Sequence, residues 1–546
     1  MLPQRCVKRL RSTESDPEQV GPRLGEWGGE VSDALVAVLS KSRAAVGTLE
    51  YNIEVQSCIE GPSDFEDIAR WPHGVLDKVF YSVDGHGCKK RFLDLVGPGF
   101  TLTSDYSGMD APSVMFRMLE VALRDECQII LKYHYACDKD KLCQYILQKR
   151  GAGRAEHIFT DVSHKLPPFA RGALEGMAPP PSCTPVEAER CYKKMNSWLH
   201  DNRAVVYGKE RHGQCLVHGG NCPVVPCADP NLILDQRTRS LTMNFSSSSC
   251  RPWSLKGSRL HYAHPDMAAY YTFIHERVVL QEDVVFHENS PNFPLAQLFT
   301  HMLSETHFVV SLTFNACDLG HPLQRRRQYS VALRRSAIEW LGPRTSSDLA
   351  QDFEKMFRRR VVLDGDVFFA DSSERRLSTM KQYAFRRGSF VRDDLLPSQI
   401  DFVTLLSGTE RDRLVAYHKV REQSAFLSNT LICDITQNPD FRNYSSVVMP
   451  TQTTNSRFVS LKHGPSGLPF TPYELMFAHG WPTIRCQACE EFTNDAKIKD
   501  LLKFLDTDIK DRQLVSLSGN ALHLPSLASF VLYILGNCSR REAPSS

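Results

Sequence analysis

The sequence contains no apolar run that approaches the roughly 20 residues needed to cross a membrane as a helix. Its longest apolar stretch, 526–536, is predicted to be a buried or amphipathic helix. The first residues are basic but lack an apolar core, which argues against a secretory signal. We therefore expect no membrane partner, and a reducing compartment in which the seventeen cysteines remain thiols.

The chain also lacks a large net charge. It has 65 Lys and Arg against 63 Asp and Glu, a formal charge of +2 that gives no global indication of a polyanionic partner. The distribution is uneven, because residues 322–360 contain ten Lys or Arg against four Asp or Glu. Such a segment suits a phosphate backbone, or is simply a solvated face.

No internal repeat is detectable, and at 546 residues the chain is too long for one compact core. A hydrophobic content of 42% with 23% charged residues is ordinary for a globular protein. We expect a catalytic lobe, a second lobe and an extension. Residues 1–64 are polar, rich in glycine and weakly periodic, which predicts an extension with a disordered start.

Strand and helix patterns alternate in the first half of the sequence. The predicted elements are a strand at 97–106, a helix at 111–124, and strands at 127–136 and 157–159. This order predicts an open, doubly wound α/β sheet, whose ligands collect at the carboxyl ends of the strands.

Polar groups follow each of these strands. Gly108 lies in a turn after the first strand, Asp138 follows the second, and Asp161 follows the third. An acidic residue in the position of Asp138 is placed to accept hydrogen bonds from the ribose hydroxyls of a nucleoside cofactor. A helix cap is the alternative role for each carboxylate taken alone.

Cys250 ends an apolar strand in the segment LTMNFSSSSCRPWS. A thiol held at a strand end is a candidate nucleophile, although an isolated cysteine is more often a packed, inert thiol. Two later strand ends supply a carboxylate at Glu288 and guanidinium groups at 325–327. A thiol, a carboxylate and guanidinium groups at strand ends together favour a catalytic site.

The order of these motifs resembles that of the DNA (cytosine-5) methyltransferase family from about residue 100 to residue 535. The matching segments are DYSGMDAP, ACDKD, FTDV, SSSCRPWSLKG, VFHENSP, HPLQRRRQYSVAL, LPFTPYELMFAHGWP and LSGNALHLPSLASFVLYIL. The resemblance implies a Rossmann-like domain that binds S-adenosyl-L-methionine (AdoMet), with a smaller target-recognition domain. The implied boundaries are 1–75 for the extension, 76–339 plus 513–538 for the catalytic domain with an insertion at 167–239, 340–512 for the recognition domain, and 539–546 for a tail.

The resemblance also implies roles for individual residues. The Cys250 thiolate would add to carbon 6 of cytosine, Glu288 would hold or protonate ring nitrogen 3, and Arg326 would bind the carbonyl oxygen. The cytosine would be flipped out of the duplex. The implied AdoMet contacts are Tyr106, Gly108, Met109, Asp138, Asp161 and Asn520.

Three departures from the family pattern leave the activity open. Ser249 replaces a proline, Arg251 replaces a common glutamine, and Gln328 stands where the family has its last arginine. DNA is the expected partner and the nucleus the expected location. Methylation of RNA, and an inactive homologue that only binds nucleic acid, are the alternatives.

A cluster of soft ligands lies in the insertion. Cys215, His218, Cys222 and Cys227 fall within thirteen residues and could bind zinc. No paired Cys-x-x-Cys knuckle accompanies them, so the sequence makes zinc a weak expectation.

Overall fold

The computed structural model describes residues 59–541, with gaps at 83–84, 86, 125–128, 150–153, 209–210, 226–239, 255–256, 424–430 and 464–465. The expectations for the N-terminal extension up to residue 58, for Cys227 and for most of the tail lie outside the described residues.

The strands are β1 Phe100–Asp105, β2 Leu131–Cys137, β3 His157–Phe159, β4 His212–Gln214, β5 Asn221–Pro223, β6 Leu241–Ser246, β7 Val284–Asn289, β8 His307–Asn315, β9 Arg326–Arg334, β10 Ile338–Trp340, β11 Ile432–Asp434, β12 Tyr444–Ser445, β13 Phe458–Ser460, β14 Leu468–Pro469 and β15 Cys538–Arg540. The α-helices are α1 Phe65–Ala69, α2 Trp71–Leu76, α3 Cys88–Val96, α4 Ala111–Leu123, α5 Lys141–Lys149, α6 Pro168–Met177, α7 Pro185–Asp201, α8 Arg203–Val206, α9 Asp266–Leu280, α10 Leu295–Leu303, α11 Ser346–Phe357, α12 Ser373–Phe385, α13 Gly408–Gln423, α14 Pro472–Phe477, α15 Glu490–Thr493, α16 Ala496–Asp508, α17 Asp511–Asn520 and α18 Leu524–Gly536.

Seven strands form the main sheet, in the order β3-β2-β1-β6-β7-β9-β8. The first five strands in this order are parallel to one another, and β9 runs antiparallel to both β7 and β8. The strand order reverses between β1 and β6, which makes this the topological switch point where such sheets bind ligands. The expected Rossmann-like α/β architecture is confirmed.

The register aligns the carboxyl ends of the central strands. Asp105 at the end of β1 lies opposite Cys137 on one side and Ser246 on the other, and Ser246 lies opposite His287 on β7. The residues that follow this row therefore emerge at the same edge of the sheet. They include Tyr106, Asp138, Ser247 and Glu288.

The last helix, α18, is buried along its whole length, as expected for a helix that is apolar on every side. The stretch Asp511–Gly536 is long and apolar enough to cross a membrane by composition, but 83% of its most apolar window is buried inside the protein. This burial identifies α18 as a core helix.

The main core extends beyond the expected catalytic domain. Trp71 and Val75 from α2 belong to it, so ordered packing starts before residue 76. Side chains of α11, α16 and α17 also pack into this core, although they come from the expected recognition domain or its edge. A separate core joins α12 and α13 to the sheet β12-β11-β13-β14.

The insertion forms helices and a hairpin. Helix α7 packs with α9 and α10 in a second core on the large lobe. Strands β4 and β5 form an antiparallel hairpin that lies against β3, where Cys215 bridges to Phe159.

Candidate active site

The turn after β1 is fixed by backbone contacts to β2. The Ser107 amide donates to the Cys137 carbonyl at 3.0 Å, and the Cys137 amide donates to Ser107 Oγ at 2.9 Å. Tyr106, Gly108 and Asp110 all have positive φ angles, of 54°, 55° and 66°. Two of them are not glycines, so the turn is held in a conformation that L-residues rarely adopt.

Asp138 and Asp161 occupy the two positions predicted to contact a cofactor. The Asp138 carboxylate accepts hydrogen bonds from the Gly108 amide at 2.7 Å and from the Asp140 amide at 2.8 Å. Burial raises the pKa of Asp138. Asp161 accepts from the amide and hydroxyl of Ser163, both at 2.8 Å, and so has the capping role. Carboxylate oxygens have further lone pairs, so neither arrangement prevents contact with a hydroxyl or amino group.

A buried ionic network lies beneath the β1 turn, and sequence reasoning did not find it. Lys165 Nζ lies 2.6 Å from both Asp105 Oδ1 and Glu276 Oε2, and Arg211 lies 2.8 Å from Glu276. All four side chains are almost fully buried. Burial alone would raise the pKa of Glu276, but the attraction of Lys165, Arg277 and Arg211 holds that pKa well below its ordinary value. The network fixes the end of β1 to the helix α9.

The serines after β6 are tied to the end of β7. His287 lies between two hydroxyls, with Nδ1 2.6 Å from Ser246 Oγ and Nε2 2.9 Å from Ser248 Oγ. The Asn289 side-chain amide donates to the Ser248 carbonyl at 2.9 Å. Burial lowers the pKa of His287 to about 3, so the ring is neutral at pH 7. The contacts of Ser246 and Ser248 therefore fix the start of the loop that carries Cys250.

Cys250 is exposed, whereas the other described free cysteines are buried or partly buried. Its carbonyl accepts hydrogen bonds from the amides of Trp253 and Ser254 at 3.0 and 2.8 Å, which forms a turn. The Trp253 ring stacks on His261 with a centroid distance of 4.4 Å. A tight turn and an aromatic anchor thus present the thiol to solvent.

Glu288 is buried at the end of β7 and is held through both of its oxygens. Ser247 Oγ donates to Oε2 at 2.6 Å, and Arg327 Nε forms an ion pair with Oε1 at 2.9 Å. The β7–β9 register explains this partner, because Glu288 lies opposite Tyr329 and residues two apart on β9 share a face.

Arg326, which was predicted to bind the carbonyl oxygen of the cytosine, does not lie on the face of β9 that Glu288 contacts. Arg326 is exposed, and the strand alternation places it on the face of β9 opposite to that of Tyr329. Arg325 and Arg327 occupy the face of Glu288. Because three arginines are consecutive, the sequence alone does not show which of them lies on the face of Glu288.

Arg325 joins the site to the last turn of α17 and the residue that follows it. Its guanidinium donates to the Ala521 carbonyl and lies 3.5 Å from the Gly519 carbonyl. Burial, followed by repulsion from Arg327, lowers the pKa of Arg325 to about 9, while Glu288 and Cys250 are among the neighbours that raise it. Asn520, a predicted cofactor contact, lies between Gly519 and Ala521 in the sequence, and its side chain is exposed.

A cleft opens at this edge of the sheet, with an empty volume of about 370 Å³ that includes its solvent-open part. It is lined by Ser104, Tyr106, Ser107, Pro112, Phe245, Ser246, Ser247, Phe286, His287, Glu288, Tyr329, Leu522, Leu527 and Phe530. Met109, another predicted contact, is buried in the main core. The Tyr106 hydroxyl is buried without a hydrogen-bond partner among the described residues.

The predicted metal ligands Cys215, His218 and Cys222 lie together in the β4–β5 hairpin, and His157 on β3 joins them. Cys227 lies outside the described residues. The sequence gave no indication of His157, because it lies 58 positions before Cys215.

No family model matches the sequence, and no curated protein matches it. Among solved structures, the chain is similar to the Entamoeba histolytica methyltransferase EhMeth, at 12% identity and a TM-score of 0.36, with 80% of this chain and 98% of that chain covered. It is also similar to the S. pombe Dnmt2 methyltransferase, at 10% identity and a TM-score of 0.38, with 80% and 98% covered. A mutant of Spodoptera frugiperda DNMT2 is 14% identical with a TM-score of 0.34, with 80% and 99% covered. These likenesses are distant, and the chemistry of the site follows from its own side chains.

Proposed function

We propose that the protein is a divergent member of the DNA (cytosine-5) methyltransferase family, which transfers the methyl group of AdoMet to carbon 5 of cytosine in a nucleic acid. The observation that carries this proposal is the placement of Glu288. It is a buried carboxyl group held between Ser247 and Arg327. The exposed thiol of Cys250 follows Ser247 by three residues in the sequence.

The chemistry needs these groups together. Carbon 5 of cytosine is not nucleophilic, so the Cys250 thiolate first adds to carbon 6 and creates an enamine. Glu288 takes up a proton from solvent and donates it, or a hydrogen bond, to ring nitrogen 3, and Arg327 stabilises negative charge on the carbonyl oxygen. After carbon 5 gains the methyl group, water takes the proton from carbon 5, and the electron pair left behind expels the thiolate and restores the aromatic ring.

The residues at the switch point fit AdoMet. Asp138 can accept from ribose hydroxyls, Tyr106 has an unpartnered buried hydroxyl, and Phe530 supplies an apolar wall. When bound there, AdoMet supplies the methyl group. The protein's own contribution is to position the target ring and to protonate and deprotonate it.

A basic and aromatic surface on the smaller lobe supports a nucleic-acid partner. At the end of α12, the side chains of Phe385 and Phe390 are 84% and 80% exposed. Arg386 and Arg387 lie between them and are also exposed. Exposed aromatic rings stack on unpaired bases, and arginines contact phosphates.

The basic segment 322–360 makes a smaller contribution than its composition indicates. Arg325 is internal, Arg327 pairs with Glu288, and Arg334 pairs with Asp283. Arg358 pairs with Glu354 on the same helix turn. These four of the ten basic side chains of this segment are therefore engaged within the protein.

A trapping assay tests the proposal. Purified protein with labelled AdoMet is incubated with DNA or with tRNA that contains 5-fluorocytosine, in which the carbon 5 substituent cannot leave as a proton. A denaturation-resistant adduct with DNA supports the DNA enzyme, whereas an adduct with tRNA alone supports the RNA alternative. If AdoMet binds and no adduct forms with either, the protein is an inactive homologue.

Two variants make the assay specific. Cys250→Ala should abolish the adduct, while Cys183→Ala, which alters a partly buried thiol before α7, should leave it unchanged. An adduct that persists in Cys250→Ala would exclude the proposed nucleophile. The nucleus, expected for a DNA substrate, stays a prediction.

A further inference from the structure

A second cluster of chemically reactive side chains lies outside the cleft, at the open edge of the main sheet. His218 Nδ1 is 3.3 Å from Cys222 Sγ and 3.5 Å from Cys215 Sγ, and His157 Nδ1 is 3.8 Å from Cys215 Sγ. One ligand atom from each of the four residues lies within 4.8 Å of all the others.

These separations match a tetrahedral metal site. Zinc–sulfur bonds of about 2.3 Å and zinc–nitrogen bonds of about 2.0–2.1 Å place sulfur and nitrogen about 3.6 Å apart. The three measured sulfur–nitrogen distances range from 3.3 to 3.8 Å. Two thiols and two imidazoles form a closed set of zinc ligands.

The backbone brings the ligands together from two distant segments. Cys215 and Cys222 lie at the two ends of the β4–β5 turn, where the Cys215 amide donates to the Gly220 carbonyl at 2.8 Å. Gly219 in that turn has a φ of 66°, which a glycine adopts without strain. The Leu216 amide donates to the Ile158 carbonyl at 2.8 Å, which docks the hairpin beside His157 on β3.

A carboxylate and a second imidazole lie near the His157 ring. The ligand atoms of His134 and Glu156 lie within 4.8 Å of those of His157, and the His134 and His157 rings pack at a centroid distance of 5.2 Å. A carboxylate near a metal-bound histidine orients the ring and raises its basicity.

We propose that His157, Cys215, His218 and Cys222 bind a structural zinc ion that fastens the β4–β5 hairpin to the edge strand β3. With four protein ligands the ion has no open position for a substrate, so its role is to hold the fold together. His157 replaces Cys227 as the fourth ligand expected from the sequence.

The docking has a consequence for the sheet edge. A side chain at Gly213 would place its Cβ 3.0 Å from the Phe159 ring, so the hairpin packs directly on the end of β3. The hairpin that the ion fastens would thus cover an edge strand whose backbone groups would otherwise be open to pairing with another chain.

Metal analysis of the full-length protein tests this inference. Elemental mass spectrometry should find a single zinc ion per chain in the unaltered protein. The variants His157→Ala and Cys215→Ser/Cys222→Ser should lose it. Cys227→Ser should retain it, as should Cys486→Ser/Cys489→Ser, which removes the Cys-x-x-Cys pair.

Cobalt replacement keeps the test independent of variant folding. The unaltered protein loaded with cobalt(II) should give the absorption of a tetrahedral site together with thiolate-to-metal charge transfer. Absence of metal, or a Cys215–Cys222 disulfide found by peptide mass spectrometry, would overturn the inference. Loss of zinc in Cys227→Ser with retention in His157→Ala would overturn the ligand set. None of these measurements depends on methyl transfer, so failure of the proposed function would be recognised separately.

Discussion

The guanidinium of Arg327 lies 2.9 Å from the buried carboxylate of Glu288, while Arg326 is exposed. Strand β9 begins at Arg326, and its alternation decides which arginine reaches the site. The neighbouring positions therefore form a natural pair of test and control.

Arg327→Ala should lower kcat by about 10²–10³, the loss seen when a donor that stabilises developing negative charge is removed. Arg326→Ala should leave kcat unchanged, because its side chain is directed away from Glu288. Methyl transfer from labelled AdoMet at saturating nucleic acid measures both. Equal losses in the two variants would contradict the assignment made from the register.

Lys165→Met should destabilise the protein by about 3–5 kcal/mol, because Asp105 and Glu276 would lose a buried counter-ion. Lys139→Met is a matched control that breaks an ion pair with Asp266 in which the lysine side chain is 52% exposed, and it should cost only about 0–1 kcal/mol. Urea unfolding followed by circular dichroism compares the two. Similar midpoints would show that the network contributes little.

The stability of the protein should depend on the ionisation of His287. Its pKa is about 3 in the folded state because of burial, and 6.5 for a free side chain, so the unfolded chain takes up the proton first as the pH falls. The stabilisation is complete above pH 6.5 and is lost between pH 6.5 and 3. Lowering the pH from 7 to 5 should reduce the free energy of unfolding by about 2 kcal/mol through this group.

His287→Gln separates this effect from other titrations, because glutamine cannot be protonated. Urea unfolding midpoints at pH 7 and pH 5 should fall less in the variant than in the unaltered protein. The assignment fails if both proteins show the same pH dependence.

Phe385→Ala/Phe390→Ala should weaken nucleic-acid binding by about 1–3 kcal/mol for each base that is stacked. Phe441→Ala is the control, since this ring is 76% exposed in the same lobe without being part of the α12 surface. Fluorescence anisotropy with a labelled oligonucleotide at fixed salt gives the affinities. A loss confined to Phe441→Ala would place the binding surface elsewhere.

Local patterns predicted the elements that define the fold. Strand β3 has the predicted bounds of residues 157–159, and α4 ends one residue before the predicted limit. Both are short-range consequences of apolar spacing and turn residues. The strand-end positions of the Cys250 loop and of Glu288 were predicted in the same way, because each directly follows or ends a buried strand.

Relationships between distant segments could not be predicted. Three adjacent arginines fit the periodicity equally well, so only the pairing of β7 with β9 selects Arg327. His157 and Cys215 meet because a hairpin in the insertion docks on β3, and no local pattern encodes that docking. Helix α11, which was expected in the smaller lobe, is amphipathic and its apolar face packs on the large core.

The left-handed conformations of Tyr106 and Asp110 have a kinetic implication for the cofactor. Each costs about 1–3 kcal/mol, which the surrounding sheet and helix supply during folding. A methyl donor that arrives at the switch point would therefore meet a loop already shaped for it. Its association should be limited by diffusion into the cleft, with little rearrangement of the main chain.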